Sequence, residues 1–352
     1  MTTRLHSAPP SRRPKPRPVT ALAAAWLAGS AFLGLLAGCS GGPPKLDPGC
    51  YLNGSVPGTI RRAVEKRADT FYQQLRSRQY EAAYSEAASQ LRERVDKQTV
   101  AMAWTSIAEV LTLPAEVATE EIAIVAVKPG DRGPRALSCI DPADSSASRE
   151  MMATDQPLQA YLIQSGLVNG TLYNFASVWF YEGDEWRVAT FGTKPRTVAD
   201  HDWTWWRNLA RQQQTKGNAR NAALLYNLAM DLLVPAPWVR PSMLESLMAE
   251  QRKLHPENLP NNRKERWVTL DDTEFFPFQS SCDIVPGGVA VRFTYEVADG
   301  ADSTSVKVAA PKLADFVRTT FPEYREVFRA VRLEAVTAGN RQPVWAGEFP
   351  LQ

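Results

Sequence analysis

Asn169-Gly170 lies between two alternating apolar runs, and it constrains the fold more than any other feature of the chain. Both residues tolerate positive φ, which a two-residue hairpin turn requires. Leu158–Val168 and Thr171–Tyr181 therefore read as paired strands. Gly183-Asp184 repeats the signal one strand later, so Glu185–Gly192 completes a meander. Upstream the period is helical. Ile60, Val64, Ala68, Phe71 and Leu75 recur every three or four residues and predict a helix from Thr59. A second helix is expected over Tyr80–Val95. A third is expected near Val100–Leu111, through Met102, Trp104, Ile107 and Val110. Val117–Val127 returns to period two, with Ile122, Ile124 and Ala126 on one face. Residues 128–156 are rich in Pro, Gly, Asp and Ser and read as a loop around one short strand at Ala136–Ile140. The class is α+β, with helices packed on an antiparallel sheet.

Three helices, a strand and a meander ending Val178-Trp179-Phe180-Tyr181-Glu182-Gly183-Asp184-Glu185-Trp186-Arg187-Val188 resemble the nuclear-transport-factor-like cone fold. Phe71–Leu75 and Tyr80–Tyr84 are also similar to the first two helices of its bacterial members. The resemblance covers residues 59–197. It implies a curved sheet around helices with a pocket open at one end. In enzymes of that superfamily a pocket His, Asp or Tyr does acid–base work. No histidine lies between Cys39 and Asp200, so a His-based mechanism is unavailable here. Glu120 and Glu121 are adjacent on a strand and point to opposite faces, so they are not a paired acid and base. The aromatic stripe Tyr173, Phe175, Trp179, Tyr181 reads chiefly as sheet core. If a pocket is open, its candidate lining is Trp104, Phe175, Trp179 and Trp186.

Pro195 closes this region. In His201-Asp202-Trp203-Thr204-Trp205-Trp206 the three tryptophans cannot share one helix face, which suits a clamp between domains. Asp200 and His201 are too few for a metal site, and capping of the following helix is expected. Helices over Asp202–Gln214 and Ala219–Leu233 resemble a single tetratricopeptide hairpin. No second copy follows at that family's period, so residues 198–240 read as a connecting hairpin and linker. Residues 241–352 read as a smaller α+β domain on an antiparallel sheet. Its helices are expected at Ser242–Leu254 and Lys307–Thr319, and from the capping box Thr320–Glu323 through Val331. Its strands are expected at Trp267–Leu270, Glu274–Ile284, Val289–Val297 and Val344–Phe349.

The first residues carry a different message. Arg4, Arg12, Arg13, Lys15 and Arg17 precede an apolar run from Ala21 to Ala37, and no acid occurs before Cys39. The run has the length of a signal peptide core and is short for a bilayer span. Its end, Leu36-Ala37-Gly38-Cys39, resembles the lipobox of bacterial prolipoproteins. That resemblance implies a signal peptide over 1–38, acylation of Cys39, and a tether over 39–58. Several acyl chains on one residue anchor stably, each buried methylene contributing ~0.8 kcal/mol. By the same resemblance Ser40, in place of an Asp, permits export to the outer membrane. Ser11-Arg12-Arg13 resembles the start of a twin-arginine signal, but Pro14-Lys15-Pro16 replaces its apolar part and favours the general secretory route.

Removing residues 1–38 takes away five of 40 basic residues and none of 38 acidic ones, turning a formal charge of +2 into −3. Nothing electrostatic then argues for nucleic acid. Cys50, Cys139 and Cys282 remain. An oxidising periplasm permits one disulfide, for which Cys50–Cys139 is the first expectation, although sequence leaves the connectivity open. The cysteines lack metal-ligand spacing and only His201 and His255 accompany them, so no metal, cofactor or catalytic residue is assigned. The expectation is a lipid-anchored envelope protein that binds a protein partner or small ligand, or forms a homodimer through its open sheet face. The alternative is an envelope enzyme, or a carrier of a lipid or other ligand, that uses the cone pocket.

Overall fold

A computed structural model describes residues 44–351, apart from 129, 132 and 145–147. Cys39 lies outside the described residues. The main sheet is antiparallel throughout, in the order β1-β2-β5-β6-β7. Its strands are β1 (Gly49–Leu52), β2 (Ala118–Ala126), β5 (Leu158–Val168), β6 (Thr171–Glu182) and β7 (Glu185–Pro195). Asn169 and Gly170 both take positive φ, 49° and 84°, and set the register Val168 opposite Thr171. Gly183 and Asp184 do the same for β6 and β7. A bulge between β6 and β7 adds one residue to β7, so Trp186, Val188 and Phe191 all reach the same face.

That face packs against α1 (Gly58–Arg76) and α4 (Lys97–Val110), with α2 (Tyr80–Ser85) and α3 (Ser89–Arg94) beside them. Ile60, Val64, Ala68, Phe71 and Leu75 of α1 are all buried on the sheet. The expected second helix is interrupted because its backbone has another partner. The Ala88 amide donates to the Val188 carbonyl, and the Val188 amide donates to the Glu86 carbonyl, each at 2.8 Å. Residues 86–88 thus cover part of the edge of β7.

The opposite face of the main sheet, which the sequence leaves open, is covered. A three-stranded antiparallel sheet of β3 (Arg135–Cys139), β4 (Arg149–Ala153) and β8 (Val239–Pro241) packs on it in the order β3-β4-β8. Ala123, Val125, Tyr161, Ile163, Val178 and Phe180 meet Cys139, Met151 and Val239 there. Burial on both sides explains why β2 and β5 read as continuous apolar runs toward one end. Two sequence boundaries shift as a result. The tether is shorter than 39–58, because Gly49–Leu52 pairs with Ala123–Ala126. The 128–156 segment holds two strands rather than one.

The remaining elements form a second layered body. Strands β9 (Trp267–Val268), β10 (Glu274–Val285), β11 (Gly288–Val297), β12 (Ala330–Thr337) and β13 (Pro343–Pro350) lie in the order β13-β12-β11-β10-β9. Helices α5 (Trp203–Thr215), α6 (Ala219–Leu233), α7 (Met243–Gln251) and α8 (Ser303–Thr320) complete it. Leu224, Leu225 and Leu228 of α6 share one core with Val291 and Phe293 of β11 and Leu313 of α8. The α5–α6 hairpin is therefore part of this core, while the linker after it carries Ala236 and Val239 to the layer of β3 and β4. The sheet is mixed rather than antiparallel, because β11 and β12 run parallel, joined through α8. The helix expected through Val331 is replaced by a short 3-10 turn at Pro322–Glu326 and by β12, where Val331, Leu333 and Ala335 alternate into the core.

Candidate functional site

All four candidate pocket residues, Trp104, Phe175, Trp179 and Trp186, belong to the core between the helices and the main sheet. Phe71 is its hub. It meets Trp104 at 5.1 Å, Phe191 at 5.5 Å and Trp179 at 5.8 Å, each edge to face. Tyr72 meets Phe175 in the same way at 5.4 Å. Aromatic pairs of this geometry contribute about 0.5–1.5 kcal/mol beyond the area they bury. Two of its polar atoms are satisfied locally: Trp179 Nε1 donates to Ser177 Oγ at 2.8 Å, and Tyr72 Oη donates to the Pro114 carbonyl at 3.0 Å. Burial pushes the Tyr72 hydroxyl far above its usual range, so it is neutral. The interior is filled by apolar and aromatic side chains.

Open space lies instead at one end of this core. A cavity of about 760 Å³ opens between α1 and the β6–β7 turn, bounded by Pro44, Ile60, Lys66, Arg67, Tyr181, Asp184 and Trp186. Trp186 alone of the four candidates reaches it, backed edge to face by Tyr181 at 5.4 Å. Arg67 is neutralised from two sides, by Glu86 at 3.0 Å and Glu185 at 2.7 Å, and Arg187 also holds Glu185 at 2.7 Å. Lys66 Nζ, the Asp184 carboxylate and the Tyr181 hydroxyl have no ion-pair or hydrogen-bond partner among the described residues. Desolvation, and then the charge of Asp184, push the Tyr181 hydroxyl upward, so it stays a donor at neutral pH. Lys66 and Asp184 were not legible as a pair, being a helix-surface lysine and a turn aspartate 118 positions apart.

On the other face of the sheet, Cys50 and Cys139 are joined in a disulfide that ties β1 to β3, with Cα atoms 5.0 Å apart. The opposite-faces expectation for the two glutamates of β2 does not follow from strand alternation, because a bulge between Thr119 and Glu121 leaves Glu120 outside the pairing with β5. Glu120 accepts from Ser165 at 2.5 Å and pairs with Arg196 at 3.1 Å. The Ser165 hydrogen bond, with help from Arg196, holds its carboxyl below the ordinary range. Glu121 points into the layer of β3 and β4 and pairs with Arg149 at 3.3 Å. Its Oε1 is buried with no hydrogen-bond partner, and desolvation pushes its carboxyl up despite Arg149.

Near α5, His201 stacks on Trp205 at 3.8 Å, Trp205 is 39% exposed, and Trp206 is buried against α6 and the C-terminal core. Asp202 caps α5, accepting from the Thr204 and Trp205 amides at 3.0 and 3.2 Å. The free Cys282 thiol donates to the Leu224 carbonyl at 3.4 Å, and desolvation raises it far above the ordinary thiol range. Among the described residues no group of His, Cys, Asp and Glu could hold a metal ion, and no helix is long and apolar enough to cross a membrane. No protein-family model, curated protein or solved structure matches the chain.

Proposed function

We propose that this chain is a lipoprotein of the bacterial cell envelope, anchored through an acylated Cys39 and facing the periplasm, from the outer membrane by the Ser40 criterion. The observation that carries this reading is the sequence Leu36-Ala37-Gly38-Cys39 at the end of a basic, then apolar, leader. The Cys50–Cys139 disulfide supports it, since such bonds persist in oxidising compartments. A nuclear-transport-factor-like cone is supported by helices on one face of a bulged antiparallel sheet, because bulges bend strands.

Within that frame the protein is a binding module and not an enzyme of the cone interior. The filled aromatic core supports this, because a reactive group would have no space beside it. Binding falls to the cavity at the α1 and β6–β7 end. The test is metabolic labelling with a palmitate analogue in a bacterial host. The wild-type chain takes up label and fractionates with membranes, whereas Cys39→Ala does neither. A Cys39→Ala chain that still takes up label refutes acylation at that residue.

A further inference from the structure

The cavity between α1 and the β6–β7 turn combines three features that point to one class of ligand. Its floor is apolar and aromatic, made by Ile60, Ala63 and the Trp186 ring. On its rim stand a cation and an anion that no group among the described residues neutralises, Lys66 and Asp184, together with the donor hydroxyl of Tyr181. Arg67 and Glu185, the other charged residues that line it, are already committed to each other at 2.7 Å. The third feature is position. Pro44, the first described residue, is itself part of the wall. Five residues of fully extended chain span at most about 17 Å, so an acylated Cys39 keeps Pro44 within that reach of its lipid.

We infer that this cavity takes the zwitterionic headgroup of a membrane phospholipid, its phosphate on Lys66 and its ammonium on Asp184. The inference rests on the lipoprotein reading for where the cavity sits, but the chemistry of the site stands on the rim charges alone. A phosphate is a diffuse anion that an ammonium group binds as a point charge. The phenol of Tyr181 supplies one hydrogen bond to a phosphate or glycerol oxygen. Tyrosine and tryptophan also suit a surface where one end is apolar and the other wet. The volume lies within the about 300–1,000 Å³ usual for small-ligand clefts. A purely anionic ligand fits less well, because Asp184 repels it. A free phosphate leaves Asp184 and the aromatic floor unused.

The experiment uses the full chain as the cell processes it, purified in a non-ionic detergent. Soluble sn-glycero-3-phosphoethanolamine is titrated in by calorimetry, alongside sn-glycero-3-phosphoglycerol and inorganic phosphate. The first binds, and both others bind at least several-fold more weakly. Lys66→Ala and Asp184→Asn, both exposed positions, each weaken it ten-fold or more while the thermal unfolding midpoint stays put. Absence of binding, affinity unchanged in both variants, or inorganic phosphate binding equally well overturns the inference. The intact mass of the same preparation reports whether Cys39 is acylated. An unacylated chain that binds the headgroup fails the anchor reading and keeps the site. An acylated chain that does not bind keeps the anchor and fails the site.

Discussion

Phe71 of α1 stands edge-on to Trp104 of α4 at 5.1 Å, inside the core between the helices and the main sheet. Phe71 also touches Trp179 and Phe191 across the sheet, so one ring bridges two helices and two strands. Trp104→Ala is expected to destabilise the chain by about 3–5 kcal/mol, the usual cost of deleting a buried large aromatic side chain. Urea unfolding followed by far-UV circular dichroism measures it. An effect below ~1 kcal/mol means that Trp104 lines a wet pocket and not a packed core.

The Cys50–Cys139 bond closes a long loop, its ends 89 positions apart, and fixes the short strand β1 at the edge of the main sheet. Cross-links over loops of this length restrict the unfolded chain most, and losing a native disulfide typically costs about 2–5 kcal/mol. The paired variant Cys50→Ala, Cys139→Ala should unfold at a markedly lower temperature than wild type. Dithiothreitol should lower the wild-type midpoint and leave the variant where it is. Equal midpoints for wild type with and without reductant contradict a structural role for this bond.

How far the sequence reveals the fold depends on the range of the interactions. Asn169-Gly170 and Gly183-Asp184 announce their hairpins because a tight turn is chosen by the residues in it. Ile60 through Leu75 announce α1 because one apolar face is enough to define a helix. Where a distant strand decides, local pattern misleads. Tyr324, Val327, Phe328 and Val331 have helical spacing, yet Val331 lies opposite Val291 in a parallel pair that only the crossover of α8 brings about. Arg149–Ala153 carries two charges and two methionines, a poor strand signal, but it is held between β3 and the remote Val239–Pro241. The candidate site obeys the same rule. The aromatic stripe is legible by its alternation, whereas Lys66 and Asp184 share a rim only because β6 and β7 fold back beside α1.

Cys282 is the thiol left over from the disulfide, and its surroundings make it inert. Its Sγ–H donates to the Leu224 carbonyl, and desolvation, followed by Asp283 and Asp231, suppresses the thiolate. In native buffer at pH 8 a disulfide reagent such as dithionitrobenzoate should label it far more slowly than a free thiol peptide. In 6 M guanidinium it should label at once, with a stoichiometry of about one per chain once Cys39 is acylated. Rapid native labelling contradicts the suppressed thiolate and reopens a reactive role for this cysteine.

Glu120 and Glu121 should show opposite pH signatures, though they are neighbours on β2. Glu121 has its carboxyl raised by desolvation, so the folded chain holds that proton more tightly than the unfolded one. Its contribution to stability is greatest below the ordinary carboxylate value of ~4.3 and is lost as pH rises through the raised native value. Glu121→Gln retains an acceptor for Arg149 and abolishes this titration. Its stability relative to wild type should therefore climb as pH rises above ~4.3. Glu120 is the reverse case, with Ser165 and Arg196 holding its carboxyl low. Its stabilisation is present above the ordinary carboxylate value and is lost as pH falls through the depressed one, so Glu120→Gln should lose ground to wild type at neutral pH and regain it in acid. Urea midpoints for the three chains between pH 3 and pH 8 test both signs together. Parallel curves for the two variants would show that the two carboxyls occupy equivalent surroundings, against the burial of one and the ion pair of the other.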